Sequence, residues 1–317
     1  MNGIRAIIRK ELADHFSSNR FLILFALIAM VSLITVYMVG LNLKTELQSI
    51  AKPKFVFLML FTSSGSLFSL VQFVAFFGPL LGLVLGFDAI NRERSEGTLS
   101  KLLSQPIYRD AVINGKFFAG VITISVMMTA IVLVVTGLGL KIVGVVPGSE
   151  ELWRILIYLI ISIVYISFWL GVSLLSSILF RSIATSALAA MAAWIFFSFF
   201  IPLGASVVAN ALFSGIEDAD AATLVQRSHV IQAITLASPM ELYTDAASII
   251  DPTRKSTRSI VAMGPMERLS ISRFSGPLSL LQSFTIVIPY VVTLIAITVI
   301  FFGISYLVFM RQEIRSL

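Results

Sequence analysis

The sequence of 317 residues contains no cysteine and only two histidines, His15 and His229. The lack of cysteine excludes disulfide bonds, a thiolate nucleophile and cysteine-ligated metal sites. Charged residues are also scarce, at 13% of the chain, whereas a soluble domain carries about 25%. The rest is strongly apolar, with 57% hydrophobic residues and a mean hydropathy of +0.96. This composition excludes a soluble enzyme, a disordered tail and a fibrous protein, and it predicts an integral membrane protein.

Sequence motifs for nucleotide binding and for hydrolysis are absent as well. Gly115-Lys116 is followed by Phe117, so the chain has no phosphate-binding loop of the P-loop type. No Gly-x-Ser-x-Gly nucleophile motif occurs. The two histidines fall on opposite faces of the predicted topology, which disfavours a histidine metal site within one chain. We therefore predict a chain that is not an enzyme and that holds no cofactor or metal of its own.

Six apolar segments are long enough to cross about 30 Å of hydrocarbon as helices. They are residues 21–43, 67–87, 117–146, 152–180, 183–208 and 278–310. None has an acidic residue, a basic residue or a histidine at its centre, which disfavours a proton-coupled carrier or pump. Pro202 and Pro289 lie inside the last two segments, where we expect kinks. The predicted fold class is an all-α integral membrane protein with six transmembrane helices, forming a single transmembrane domain over residues 1–317.

Two smaller features belong to the apolar part of the chain. Gly78, Gly82 and Gly86 recur every four residues in the second segment, and this spacing lets two helices approach closely. Simple packing and a specific dimer face are both open interpretations of the ladder. The run at residues 55–61 is too short to span a membrane, so we predict that it lies at the membrane interface.

The distribution of Lys and Arg predicts the orientation of the chain. The loops and tails on the side of both termini hold 12 of these residues, and the two short loops on the other side hold 5. The long loop before the sixth segment holds 6 more, but loops of over about 60 residues count little toward orientation. Short cytoplasmic loops carry the excess of basic residues in multi-pass proteins. We therefore predict a multi-pass protein of the plasma membrane with both termini in the cytoplasm. This topology accounts for the net charge of +6, and no nucleic-acid partner is predicted.

Three segments lie outside the predicted spans. Residues 1–20 read as an amphipathic helix in the membrane interface, or alternatively as a charged flank that continues the first span. Residues 91–116 are the most polar cytoplasmic piece, with an apolar stripe suited to docking another protein. The alternative is a solvated loop whose leucines rest on headgroups or on other spans.

The third segment, residues 209–277, is predicted as a helical insertion on the outer face. Ser238, Pro239 and Glu241 form the pattern of a helix start with a capping box, and the helix is expected to run to Ile250. An earlier helix is expected over residues 219–236. We interpret the insertion as a small helical cap over the outer mouth, and a lid that contacts substrate is the alternative.

One stretch of sequence resembles the permease subunit of ABC-2 type transporters, and within that family the NosY-like branch. The matching residues begin with Gly86-Phe87-Asp88-Ala89-Ile90 and continue with Glu93-Arg94-Ser95-Glu96-Gly97-Thr98-Leu99, Leu102-Leu103-Ser104-Gln105-Pro106, Arg109, Gly115-Lys116-Phe117 and Gly120. Arg9-Lys10-Glu11-Leu12 before the first span and Asn19-Arg20-Phe21 at its start are similar to the family too. So is the layout of six spans with both termini inside.

The resemblance implies a function and a set of site residues. Residues 93–103 would form a coupling helix that inserts into a cleft of a separate ATP-binding subunit. Its implied contacts are the apolar Leu99, Leu102 and Leu103, the polar Glu93, Arg94 and Glu96, and the motif residues Gly97 and Thr98. The family pattern is two permeases, which we expect to be a homodimer, with two ATPases that bind ATP and Mg²⁺.

The function predicted from this resemblance is export of an unknown substrate with ATP hydrolysed by the partner subunit. A largely uncharged interior favours lipid-like or amphipathic cargo. Two alternatives stay open from the residues themselves, namely an ATP-independent carrier or channel and a membrane scaffold that transports nothing.

Overall fold

The computed structural model describes residues 2–49, 55–62, 69–98, 108–213, 221–252 and 277–312, and these residues form twelve α-helices and no strand. The helices are α1 (Asn2–Ser17), α2 (Asn19–Ser49), α3 (Met59–Thr62), α4 (Leu70–Gly86), α5 (Asn91–Ser95), α6 (Arg109–Val143), α7 (Ser149–Leu179), α8 (Ile183–Ile195), α9 (Ile201–Leu212), α10 (Ala221–Thr235), α11 (Pro239–Ala246) and α12 (Leu280–Arg311). A π-helical turn, Phe196–Phe200, joins α8 to α9. A 3₁₀ turn, Ala247–Ile250, extends α11.

Six stretches of these helices are long and apolar enough to cross a membrane, and we number them span 1 to span 6. They are Asn19–Thr45, Leu70–Ser95, Arg109–Val143, Ser149–Leu179, Ile183–Leu212 and Leu280–Arg311. Each predicted segment overlaps one span, so the predicted all-α, multi-pass fold is confirmed. The helices extend beyond the apolar runs because polar residues at their ends continue the backbone hydrogen bonding. Span 3, for example, begins at Arg109, well before the predicted start at Phe117.

Span 4 is the central helix of the described bundle, because it packs along both span 2 and span 6. Its side chains Tyr158 and Tyr165 are fully buried. Span 2 approaches it through the glycine ladder, since a Cβ at Gly82 would lie 2.5 Å from the carbonyl oxygen of Ile166. Ser173 Oγ donates to the Gly82 carbonyl oxygen at 3.0 Å across the same contact. The ladder therefore packs within the chain, which is the simpler of its two interpretations.

The short apolar run at residues 55–61, which the sequence predicts at the membrane interface, is packed into the protein core. Phe57 and Phe61 have no exposed surface. The Phe57 N–H donates to the Glu151 carboxylate at 3.1 Å. The Phe61 ring packs edge-on against Tyr158, with 5.9 Å between ring centroids. Neighbouring helices bury a run that is too short to cross a membrane alone.

The predicted insertion at residues 209–277 is described in part, because 214–220 and 253–276 lie outside the described residues. Its first helix, α10, packs on α9, the end of span 5. Arg227 Nη2 donates to Asn210 Oδ1 at 2.6 Å between them. This part of the insertion therefore forms a packed pair with the end of the span.

Residues 239–250, which we call the inserted segment, pack against the helices of spans 2, 4 and 6. The helix begins at the predicted place, where Ser238 Oγ accepts the Glu241 N–H at 3.4 Å. Tyr243 is fully buried, and its hydroxyl lies 3.1 Å from Ser162 Oγ in span 4. The segment packs against α4, α7 and α12. The predicted cap is therefore an element that fills space among the helices.

Arg154, near the start of span 4, ties the inserted segment to the start of span 6. Its side chain is fully buried, and Nη1 donates to the Ile249 carbonyl oxygen at 2.7 Å and to Ser283 Oγ at 3.0 Å. Nη2 donates to the Leu278 carbonyl oxygen at 2.8 Å and to the Glu150 carboxylate at 2.9 Å. We call these five residues the arginine clamp. They hold three separate chain segments together around one cation.

Candidate functional site

Residues 87–98, which follow α4, contain a turn, the helix α5 and a second turn, and we call them the junction segment. The Gly97 N–H donates to the Arg94 carbonyl oxygen at 3.2 Å, which closes the helix. Gly97 itself has a φ of 67°. This left-handed conformation favours glycine and is typical of a helix C-terminus. The glycine of the family-like motif therefore turns the chain out of α5.

Hydroxyl groups of spans 4 and 5 hold the backbone of the junction segment. Ser177 Oγ accepts the N–H groups of Ile90 at 2.9 Å and Asn91 at 3.1 Å. Ser186 Oγ in span 5 donates to the Phe87 carbonyl oxygen at 2.7 Å. Ile90 and Asn91 have no exposed surface. The junction segment is therefore packed against spans 4 and 5 as part of the bundle.

Four charged residues, Lys10, Glu11, Glu93 and Lys116, form a charge cluster that joins α1, the junction segment and span 3. Lys116 Nζ lies 2.8 Å from Glu11 Oε1 and 3.0 Å from Glu93 Oε1. Lys10 Nζ lies 2.9 Å from the same Glu93 oxygen and 3.3 Å from Glu11 Oε1. The side chain of Lys116 is 3% exposed, whereas that of Lys10 is 49% exposed. The cluster is neutral as a whole, as burial of charge requires.

The pKa values of the two α1 members reflect this pairing. Burial alone would raise the pKa of Glu11, but the charge of Lys116 and its hydrogen bond outweigh burial and lower the pKa below its ordinary value of 4.5. Burial alone would lower the pKa of Lys10, but the hydrogen bond to Glu93 and the charges of Glu11 and Glu93 raise it. Both groups are therefore charged at neutral pH.

Gln312, immediately after span 6, connects the junction segment to two more helices. Arg94 Nη2 donates to Gln312 Oε1 at 2.7 Å, and Gln312 Nε2 donates to the Ile178 carbonyl oxygen in span 4 at 3.0 Å. Arg109, the first residue of span 3, donates to the Gln312 carbonyl oxygen at 3.4 Å. The last described residue of the chain is thus held against the junction segment.

Span 1 reaches the junction segment through Arg20. Its guanidinium lies 3.1 Å from Asp88 Oδ2 and 5.7 Å from the centroid of the Phe87 ring. With this pair, the junction segment has hydrogen bonds or ion pairs to spans 1, 3, 4 and 5 and to Gln312, the residue that follows span 6. We call this end of the bundle, where α1 and Gln312 lie, the terminal end. The arginine clamp lies at the opposite end.

A polar cleft of about 890 Å³ opens beside the junction segment at the terminal end. It is lined by the charge cluster, the end of α1 with Asp14 and His15, and the exposed pair Arg92 and Glu96. Arg92 Nε lies 3.1 Å from Glu96 Oε1. No group of three or more His, Asp or Glu side chains that could hold a metal ion occurs within the described ranges. Both signs of charge line the cleft in similar number.

The structure brings five of the predicted contact residues together, and they face different ways. Glu96, Gly97 and Thr98 are exposed. Arg94 is partly buried against Gln312. Glu93 is 8% exposed, and its Oε1 atom is paired with Lys10 and Lys116 of the charge cluster. Leu99, Leu102 and Leu103 lie outside the described residues.

Sequence reasoning gave no role to Glu11, Lys116, Ser177 and Gln312. Lys116, Ser177 and Gln312 contact the junction segment, and Glu11 binds Lys116. Glu11 and Lys116 could have been predicted, because they belong to the family-like stretches before span 1 and at the start of span 3. Their opposite charges at the margins of apolar runs were the available signal. Ser177 and Gln312 carry no such signal, since a serine in an apolar helix or a glutamine after one has many uses.

Comparison with known proteins gives two results. The model of the family described as ABC-2 family transporter protein matches residues 5–314. A relative, "Probable ABC transporter permease protein NosY" of Stutzerimonas stutzeri, is 32% identical over 117 residues. That alignment covers 37% of this chain and 38% of the relative. The family match therefore spans nearly the whole chain, and the similarity to this relative spans well under half of either protein.

Proposed function

Because this chain belongs to the ABC-2 family of transporter proteins, we propose that it works as an ATP-driven exporter together with a separate ATP-binding subunit. Membership makes the chain the membrane-spanning permease subunit of an ABC transporter. Such a subunit needs a place where a partner's motion enters the membrane helices. The junction segment and the residues that follow it are our candidate for that place.

The observation that carries this proposal is the set of connections made by the junction segment. Asp88 pairs with span 1, Glu93 with span 3, Ile90 and Asn91 with span 4, Phe87 with span 5, and Arg94 with Gln312, the residue that follows span 6. A displacement of this one segment would therefore act on every span at once. Packed helices with discrete arrangements convert such a local displacement into a change of the whole bundle.

We assign the contact with the ATPase to the residues next to this anchored piece. Leu99, Leu102 and Leu103 would fill an apolar part of the partner's cleft, and Arg94, Glu96, Gly97 and Thr98 would supply its polar edge. Glu93 is reassigned from partner contact to anchoring, because its carboxylate is buried and paired within the chain. ATP and Mg²⁺ would be bound by the partner, since this chain has no phosphate-binding loop.

The proposed complex contains two copies of this permease and two ATPases, in the plasma membrane, with both termini in the cytoplasm. The excess of basic residues on the termini side supports this orientation. The substrate pathway would form between the two permease copies. Lipid-like or amphipathic cargo is favoured, because acidic and basic residues are absent from the span centres in the sequence.

The test is to purify the tagged permease from its native membrane in a mild detergent and to identify the proteins that co-elute. We expect a stoichiometric ATPase, which is lost or uncoupled in the double variant Leu102→Asp with Leu103→Asp. The matched control is Ala184→Asp with Thr185→Asp, which puts the same two charges on exposed positions at the start of span 5. Both variants should be inserted and folded.

Two results would overturn the proposal in different ways. Unchanged ATPase binding and turnover in the leucine variant would remove the coupling assignment. A permease that is recovered alone from several detergents, and that still conducts or carries solutes, would favour an ATP-independent carrier or channel.

A further inference from the structure

We propose that Lys116 and Glu11 are positioning residues that make α1 and span 3 move as one unit with the junction segment. This inference rests on the proposed function and deepens it, because it names how motion would leave the coupling region. The charge cluster would then be a mechanical link between three elements. It would not merely compensate for buried charge.

The first observation is that one ammonium group bridges carboxylates from two other elements. Lys116 Nζ binds Glu11 Oε1 of α1 at 2.8 Å and Glu93 Oε1 of the junction segment at 3.0 Å. The junction segment and α1 are therefore joined through span 3. Lys10 adds a direct connection, since its Nζ lies 2.9 Å from Glu93 Oε1.

The second observation is the close approach that makes this bridge possible. A Cβ at Gly115 would lie 2.6 Å from Cγ2 of Ile7 in α1. The missing side chain at Gly115 lets α1 lie against the start of span 3, and Ile7 is 4% exposed in that contact. Because Gly115 precedes Lys116, the residue that allows the contact and the residue that fixes it are adjacent in sequence.

The third observation is the charge balance of the site. Two ammonium groups and two carboxylates are present, and three of the four side chains are exposed by 10% or less. A movement that separates Glu93 from both Lys116 and Lys10 would leave its buried carboxylate without a cation, which is strongly unfavourable. The less unfavourable movement is one in which α1, the junction segment and the start of span 3 stay together.

The experiment separates charge balance from linkage with three variants. Lys116→Met leaves two carboxylates with one half-exposed lysine. Lys116→Met with Glu11→Gln restores the balance, because Lys10 and Glu93 remain as a pair, but it removes the bridge to span 3. Lys116→Arg keeps both the charge balance and the bridge to span 3. The matched control is Lys141→Met, which removes one exposed cation from the last turn of span 3, the helix that also holds Lys116.

Two readouts are used on the full complex of permease and ATPase. The first is the rate of ATP turnover per complex. The second is the distance distribution between nitroxide labels at Ala13→Cys in α1 and Ser95→Cys in the junction segment, both exposed positions. The chain has no native cysteine, so no other thiol of the permease is labelled.

We expect the balanced double variant to be as stable as the wild type and to retain the ATPase. Its turnover should nevertheless fall on the order of tenfold, a typical size for coupling between sites, and its label distances should broaden. Lys116→Arg and the exposed control should match the wild type in both readouts. Should Lys116→Met fail to fold, the balanced variant and Lys116→Arg still decide the question.

A balanced variant with wild-type turnover and a wild-type distance distribution would overturn the positioning role and leave the cluster purely structural. This outcome differs from failure of the proposed function itself. In that case the wild-type chain would recruit no ATPase, and the positioning role would fall with it.

Discussion

Lys116 and Arg154 are both buried cations, yet they bind different kinds of acceptor at opposite ends of the described bundle. Lys116 binds two carboxylates within a neutral group of four charges. Arg154 donates to two backbone carbonyl oxygens, a hydroxyl and one carboxylate that is 36% exposed. Each cation joins three chain segments, but removing each leaves a different kind of group without a partner.

Because their acceptors differ, the contacts of Lys116 and Arg154 respond differently when they are broken or altered. The Glu11 carboxylate can be protonated, and each carboxylate of the charge cluster can exchange one lysine for another. The carbonyl oxygens of the arginine clamp do neither, and the five donors of a guanidinium suit several acceptors in fixed directions. We infer that the terminal end responds more strongly than the opposite end to a change of pH or of ion-pair partner. The arginine clamp holds the opposite end in one arrangement.

The largest effect is expected for Lys116→Met. It leaves the carboxylates of Glu11 and Glu93 buried near each other, with Lys10 as their remaining partner. We expect the free energy of unfolding to fall by about 3–5 kcal/mol, as when one partner of a buried ion pair is removed. The measurement is a titration of the purified permease with a denaturing detergent. Lys141→Met, at an exposed position in the last turn of the same helix, is the control and should change little.

A smaller effect is expected for Arg154→Met. The carbonyl oxygens of Ile249 and Leu278 lose a donor, but the variant also removes a fully buried cation whose Nε has no hydrogen-bond partner among the described residues. We expect a loss of about 1–3 kcal/mol, the range for buried polar groups left unsatisfied. The same titration measures it, with the exposed Arg227→Met as control. A loss greater than that of Lys116→Met would reverse our ranking of the two ends.

Lowering the pH should distinguish the two ends with a still smaller effect. The folded-state pKa of Glu11 is below its ordinary value of 4.5, so its contribution to stability is present above pH 4.5 and is lost as the pH falls through the folded-state pKa. The groups that face Glu11 are Lys116 and Lys10, with Glu93, Asp14, His15 and Asp88 nearby. Protonated Glu11 still leaves Lys116 paired with Glu93, which is why the effect is smaller than that of Lys116→Met.

The measurement is the unfolding midpoint of the wild type, Glu11→Gln and Arg154→Met between pH 7 and the acid range. Glu11→Gln should flatten the acid part of the wild-type profile, because the titrating carboxylate is gone. Arg154→Met should lower the whole profile and keep its shape. A flattened profile in the arginine variant, with an unchanged one in Glu11→Gln, would contradict the assignment of pH sensitivity to the terminal end.

The comparison of the two ends also shows what the sequence could predict. The six spans follow from the length and hydropathy of each run, and the helix start at Ser238 follows from local capping chemistry. Both are properties of neighbouring residues. The burial of Lys116 and Arg154 does not follow from neighbouring residues. Each lies at the margin of an apolar run, where charged residues are expected to reach water. Which acceptors surround them depends on segments far away in the chain.

The same reasoning explains the run at residues 55–61 and the position of Tyr243. A short apolar run suits a membrane surface and a protein core equally well, and hydropathy does not distinguish these two environments. Tyr243 lies in a segment of mixed composition that we predicted as a cap. Its burial depends on the space that spans 2, 4 and 6 leave between them, which no local pattern records.

The smallest effect is expected for the exposed pair in the junction segment. Arg92 and Glu96 form an (i, i+4) pair in which the side chains are 64% and 53% exposed. Such pairs contribute about 0.3–0.5 kcal/mol, and salt screens them. Arg92→Met with Glu96→Gln should therefore leave the unfolding free energy within error of the wild type at physiological ionic strength. If this variant lost ATPase binding while its stability stayed unchanged, the exposed side of the junction segment would belong to the partner interface, and the buried charge cluster would be its support from within.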